Sequence, residues 1–66
     1  MIDIWNYNGK RKVKVTTKES VFYGSVVCVM NTEENGREED DITIETVDGR
    51  FIGFMPSEIE SIEVIE

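Results

Sequence analysis

Residues 13–30, VKVTTKESVFYGSVVCVM, decide the fold. They read as two strands joined by a tight turn at Lys18-Glu19-Ser20. Side chains alternate across a strand, so Val13, Val15 and Thr17 fall on one face and Lys12, Lys14, Thr16 and Lys18 on the other. In the second strand Phe22, Val26, Cys28 and Met30 share a face, and Val27 and Val29 make the opposite face apolar too. A strand apolar on both faces belongs in the middle of a wrapped sheet, with Gly24 where it bends sharply. The hairpin predicts an all-β small barrel.

Upstream, Ile2, Ile4, Trp5 and Tyr7 form a short apolar stretch that fits either a helical turn or a strand. Trp5 or Tyr7 is expected to cap an open end of the barrel, because so small a chain is short of core material. An exposed Trp5 would instead stack a base or anchor a partner. Asn8-Gly9 is a turn signal leading into the basic strand.

Downstream, residues 31–41 contain no apolar side chain and six carboxylates, which predicts a solvated acidic loop with Asn35-Gly36 near its tip. DITIETV then alternates, pointing Ile42, Ile44 and Thr46 inward, and Asp48-Gly49 turns the chain into a fourth strand, RFIGFM, with a second bend at Gly53. Pro56 to Glu60 reads as one helical turn, capped by Ser57 with Glu60 completing a capping box. Residues 61–65 close the chain as a fifth strand, with Ile62 and Val64 on one face. The expectation is a single domain over residues 1–66: a five-stranded barrel with one helical turn before the last strand.

This order of elements resembles the Sm-like branch of the Src-homology-3-like small barrels over residues 12–66. VKVTTKESVFYGSV looks like the family's opening hairpin, with Gly24 at its strand-two glycine, and GRFIGFMPSEIESIEVI like its second half. The chain is also similar to a group of short bacterial proteins of unknown function that begin I-W-x-Y or I-W-x-F and carry an acidic loop before strand three. The resemblance implies a ring-forming barrel and, in RNA-binding members, an Asp and an Asn after strand two and an Arg-Gly or Lys-His pair near strand four. Here Met30-Asn31 falls too soon after Gly24, Gly49-Arg50 reverses the pair, and there is no histidine. The family's base-binding residues therefore do not carry over.

A chain of 66 residues supports one thin core. Cys28 is the only cysteine, which excludes an internal disulfide, and the lack of histidine disfavours zinc. Barrel closure or self-association is expected to supply the missing stability. No signal peptide and no membrane-length apolar run is visible, and a lone cysteine suits a reducing compartment, so the expected location is cytoplasmic.

The chemistry of the residues points away from catalysis. Cys28 sits between valines with no histidine to activate it, and reads as a small buried hydrophobe. No spacing singles out a carboxylate pair for acid–base work. Placing Gly36 at the sixth position of a calcium loop puts Ile42 where the bidentate acid belongs, so no metal site is expected. No cofactor or small-molecule substrate is expected either.

Charge is the remaining signal. The chain carries a net −7, yet residues 1–18 hold Lys10, Arg11, Lys12, Lys14 and Lys18 against Asp3 alone, a local +4, and the rest carries −11. Lysines repeating along one strand face suit phosphate spacing, but the acidic surplus elsewhere favours a face that solvates an outer strand or pairs with Glu45, Glu58, Glu60 or Glu63 from neighbouring strands or subunits. The expected function is a noncatalytic interaction module that binds itself or a protein partner. The alternative is an RNA-binding Sm-like ring that uses Lys10, Lys12, Lys14 and Lys18, with Tyr23 or Trp5 stacking a base.

Overall fold

The computed structural model describes residues 2–65. Five antiparallel strands form one sheet: β1 (Val13–Thr17), β2 (Val21–Met30), β3 (Asp41–Thr46), β4 (Phe51–Phe54) and β5 (Ile59–Val64), in the order β4-β3-β2-β1-β5. β2 holds the central place expected of it. β4 and β5 end the sheet without pairing to each other.

All five strands contribute to one apolar cluster, whose most enclosed members are Val13, Val15, Ile42, Ile44 and Ile4. A single sheet buries these side chains only by curling over its own inner face. Phe22 on β2 and Phe54 on β4 meet across the curl with ring centroids 5.3 Å apart, although β3 lies between their strands. The alternation expected in β1 and β3 holds: Val13, Val15, Ile42, Ile44 and Thr46 are all buried.

β2 departs from the expectation. Val26 pairs with Ile44 and Cys28 with Thr43, so Val27 is an extra residue in the ladder. This bulge switches the inward phase from Val26 to Val29, and it leaves Val27, Cys28 and Met30 partly or largely exposed. The strand is not buried on both faces; its continuous apolar run records a change of phase. β5 does the same. Glu60 has no partner between the pairs Thr16–Ser61 and Thr17–Ile59, so Ile59 and Ile62 both face the core, whereas Val64 at the strand end is exposed.

Gly24 allows close approach of β3. A side chain there would meet the Glu45 carbonyl, whose carbon lies 2.9 Å from the Cβ position, and the Thr46 Cα at 3.1 Å. Gly53 keeps its place in the ladder opposite Thr43, where an added Cβ would only touch the Thr43 hydroxyl at 3.6 Å.

The connections are bound by local hydrogen bonds. Thr17 Oγ1 donates to the Ser20 carbonyl and accepts from Ser20 N, closing the β1–β2 turn. The β3–β4 turn is closed from Thr46 N to the Arg50 carbonyl at 2.8 Å, with Gly49 in the left-handed region at φ 87°. The helical turn before β5 is a 3-10 turn, Pro56–Glu58, and its cap lies two residues earlier than expected. Glu58 accepts from Met55 N at 2.8 Å, and Ser57 has a different partner, described below.

The acidic stretch is more structured than a solvated loop. It opens with a one-turn helix, α1 (Thr32–Asn35), closed by a capping box in which Asn31 Oδ1 accepts from Glu34 N and Glu34 accepts from Asn31 N. Gly36 ends it in the left-handed region at φ 69°. Ile4–Tyr7 forms a further 3-10 turn, initiated by Asp3 accepting from Trp5 N, and it packs against β2 and β3. The core member it supplies is Ile4.

Candidate functional site

Positions 14, 23 and 45 point away from the core by strand alternation, and together they set the chemistry of the outer face. Lys14 is the only lysine of the expected stripe that lies within a strand. It sits between Tyr23 on β2 and Glu63 on β5, directly opposite both in register, and it forms no ion pair among the described residues. Lys12 precedes β1 and extends it through its carbonyl, which accepts from Ile65 N at 3.0 Å. Lys10 lies in the preceding turn, where its carbonyl accepts from Val26 N. Lys18 is in the β1–β2 turn. The basic stripe is thus one strand lysine and three flanking ones, with Lys10 and Lys18 at opposite ends of β1.

A shallow groove runs over Gly24. Arg11, Lys12, Tyr23, Ser25, Glu45 and Val47 are among the residues that line it. Tyr23 is about half exposed, lies opposite Lys14 in register and lines the groove together with Lys12. The structure therefore brings Lys12, Lys14 and Tyr23 together.

Trp5 is elsewhere. Its indole Nε1 donates to Asp40 Oδ2 at 2.9 Å, and Asp40 Oδ1 accepts from Thr32 N, so the ring belongs to the acidic segment. Glu39 binds that segment to the other end of the chain: its carboxylate accepts from Ser57 N at 3.2 Å and from Ser57 Oγ at 2.6 Å. Two of the acids that read as a solvated charge run, Glu39 and Asp40, instead hold donors of distant segments, and Glu34 caps the local helical turn. This makes Trp5 a structural contact first, although 42% of its surface is open.

Reasoning from the sequence missed three exposed apolar groups: Val21, Val47 and Phe51. For Phe51 a signal was present. Phe51 and Phe54 are three apart on a strand, so both cannot face the core. Phe54 is buried and Phe51 is 67% exposed, on the outer face beside Glu45.

The outer turn carries one displaced titration. The Thr46 hydroxyl donates to Asp48, and Arg50 Nε donates to the same carboxylate at 3.0 Å. The Thr46 hydrogen bond is the largest effect and holds the Asp48 carboxyl below its ordinary value; desolvation opposes it, and the charge and hydrogen bond of Arg50 add to the lowering. A carboxyl depressed in the folded state adds stability above the unfolded value, and that stability is lost as pH falls through the folded value. An NMR titration is expected to place the Asp48 midpoint below 3.8, and Thr46→Val is expected to raise it.

Among the described residues no group of histidine, cysteine or acidic side chains is arranged to hold a metal ion, and no helix is long and apolar enough to cross a membrane. Cys28 is partly exposed on the outer face opposite Thr43, not enclosed in the core as its valine neighbours implied. Comparison with known proteins finds no matching family model, no matching curated protein and no matching solved structure.

Proposed function

We propose that this protein is a noncatalytic interaction module that works by self-association or by docking a protein partner. The observation that carries this reading is the open sheet. β4 and β5 end it without neighbours, and an unpaired edge is a template for strand pairing with another chain. The exposed Tyr23, Val47 and Phe51 add apolar surface on and beside the outer face. The strand order, with a 3-10 turn directly before β5, supports the Sm-like small-barrel part of the reading. Light scattering on a sizing column is expected to give a mass above the 7.6 kDa of one chain. A single-chain mass at every concentration, together with no protein captured by the immobilised chain, would refute the proposal.

One observation favours a second reading. Lys14 lies opposite the exposed Tyr23 and Lys12 lines the same groove as that ring, an arrangement suited to a phosphate backbone with a stacked base. Two or three phosphate contacts would give weak, salt-sensitive binding, on the order of micromolar. Labelled single-stranded RNA would then lose its anisotropy change with Lys12→Glu and Lys14→Glu combined.

A further inference from the structure

β4 has two features that the chain's own fold does not require. Phe51 is a large aromatic exposed on a free edge strand. Gly53 has neither a left-handed backbone nor a close neighbour that forbids a side chain. A glycine in a strand costs stability through lost packing and backbone entropy, so its position marks close approach from outside where nothing inside demands it.

The backbone of β4 is oriented for such an approach. Thr46 N donates to the Arg50 carbonyl, so Arg50 faces β3. In an antiparallel pair the hydrogen-bonding direction alternates, which turns the N–H and C=O groups of Phe51 and Gly53 toward the free edge. A second β4 laid antiparallel about a two-fold axis at Ile52 would set Phe51 of one copy opposite Gly53 of the other, twice. All four edge N–H groups then meet edge carbonyls. On the outer face, each exposed phenyl ring covers the bare backbone of the other copy's glycine.

Charge selects the same arrangement. The chain carries −7, so two copies repel, and they do so least when they meet on a strand without acids. β4 has no charged residue, whereas β5 carries Glu60 and Glu63. Two β5 edges would oppose carboxylates, and β4 against β5 would leave Glu63 facing an apolar strand. The nearest cation, Arg50, is already bonded to Asp48.

We infer that β4 is a self-pairing edge, and that two copies of this chain form a two-fold dimer through Phe51 and Gly53. This rests on the self-association reading and specifies its geometry. The test is the solution mass of the full chain beside Gly53→Val and Phe51→Lys, with far-UV circular dichroism to confirm that each is folded. The wild type is expected to reach the mass of two chains, and each variant to raise the dimer dissociation constant at least about tenfold. Folded variants that dimerise as well as the wild type would overturn the inference while leaving self-association intact. A wild-type mass well above two chains would do the same, in favour of a ring. A wild type that never exceeds one chain removes both the dimer and the self-association reading.

Discussion

Gly24→Ala is expected to destabilise the protein strongly, by about 3 kcal/mol. The new Cβ would stand 2.9 Å from the Glu45 carbonyl carbon and 3.1 Å from the Thr46 Cα, and closer still to the Glu45 oxygen. These are backbone atoms in the middle of the β2–β3 ladder, so no side-chain rotation relieves the overlap. The strands must separate where Gly24 pairs with Thr46. Overpacking of this kind costs about 3 kcal/mol when the neighbours cannot yield. A chain of this length has a total stability of roughly 3–10 kcal/mol, so between about a third and all of it would be lost. Gly53→Ala is the control. Its Cβ meets only a hydroxyl at 3.6 Å, and replacing a strand glycine there is expected to be neutral or to stabilise the monomer by about 0.5 kcal/mol. Urea unfolding of both variants checks the contrast, and equal midpoints would mean that Gly24 is not a close-approach glycine.

Ile4→Ala is expected to cost about 2–5 kcal/mol, the range for removing an enclosed aliphatic side chain. Ile4 is 1% exposed and belongs to the same cluster as Val13, Ile42 and Ile44, although its turn precedes the sheet. The turn forms because Asp3 accepts from Trp5 N, and Trp5 then donates to Asp40, which orients Ile4 toward the inner face. Truncating Ile4 removes material from a core that has little to spare, whereas Trp5→Ala is expected to cost less because its ring is partly open. Thermal unfolding reads the difference. A loss below about 1 kcal/mol for Ile4→Ala would place the N-terminal turn outside the core.

Part of this architecture was legible in the sequence. Strict alternation in β1 and β3 marks Val13, Val15, Ile42, Ile44 and Thr46 as inward, and the tight turns at Lys18–Ser20 and Asp48-Gly49 fall where local residue chemistry requires them. Alternation fails at bulges, because one extra residue reverses the phase. That is why Val27 and Met30 read as core and are exposed, and why Ile59 was not expected beside Ile62. Carboxylates in residues 31–41 looked like a solvated run because their partners, Trp5 and Ser57, are distant in sequence. The Asn31–Glu34 capping box was readable locally, but no apolar periodicity accompanies it to mark a helix. For the candidate surface, alternation put Lys14 on the outer face and Tyr23 was named as an aromatic able to stack, whereas Phe51 was not singled out. An exposed phenylalanine is distinguishable from a buried one only when the phase of its strand is fixed by Phe54.

The measurement that bears most directly on a self-associating sheet is amide hydrogen exchange, recorded residue by residue at low and high protein concentration. Phe51 and Gly53 present their N–H groups to the free edge in one chain, so they exchange quickly when the protein is dilute. Slower exchange at these two amides at high concentration, with β1 and β2 amides unchanged, is the predicted result. Exchange that is equally fast at both concentrations along β4 and β5 alike would contradict it.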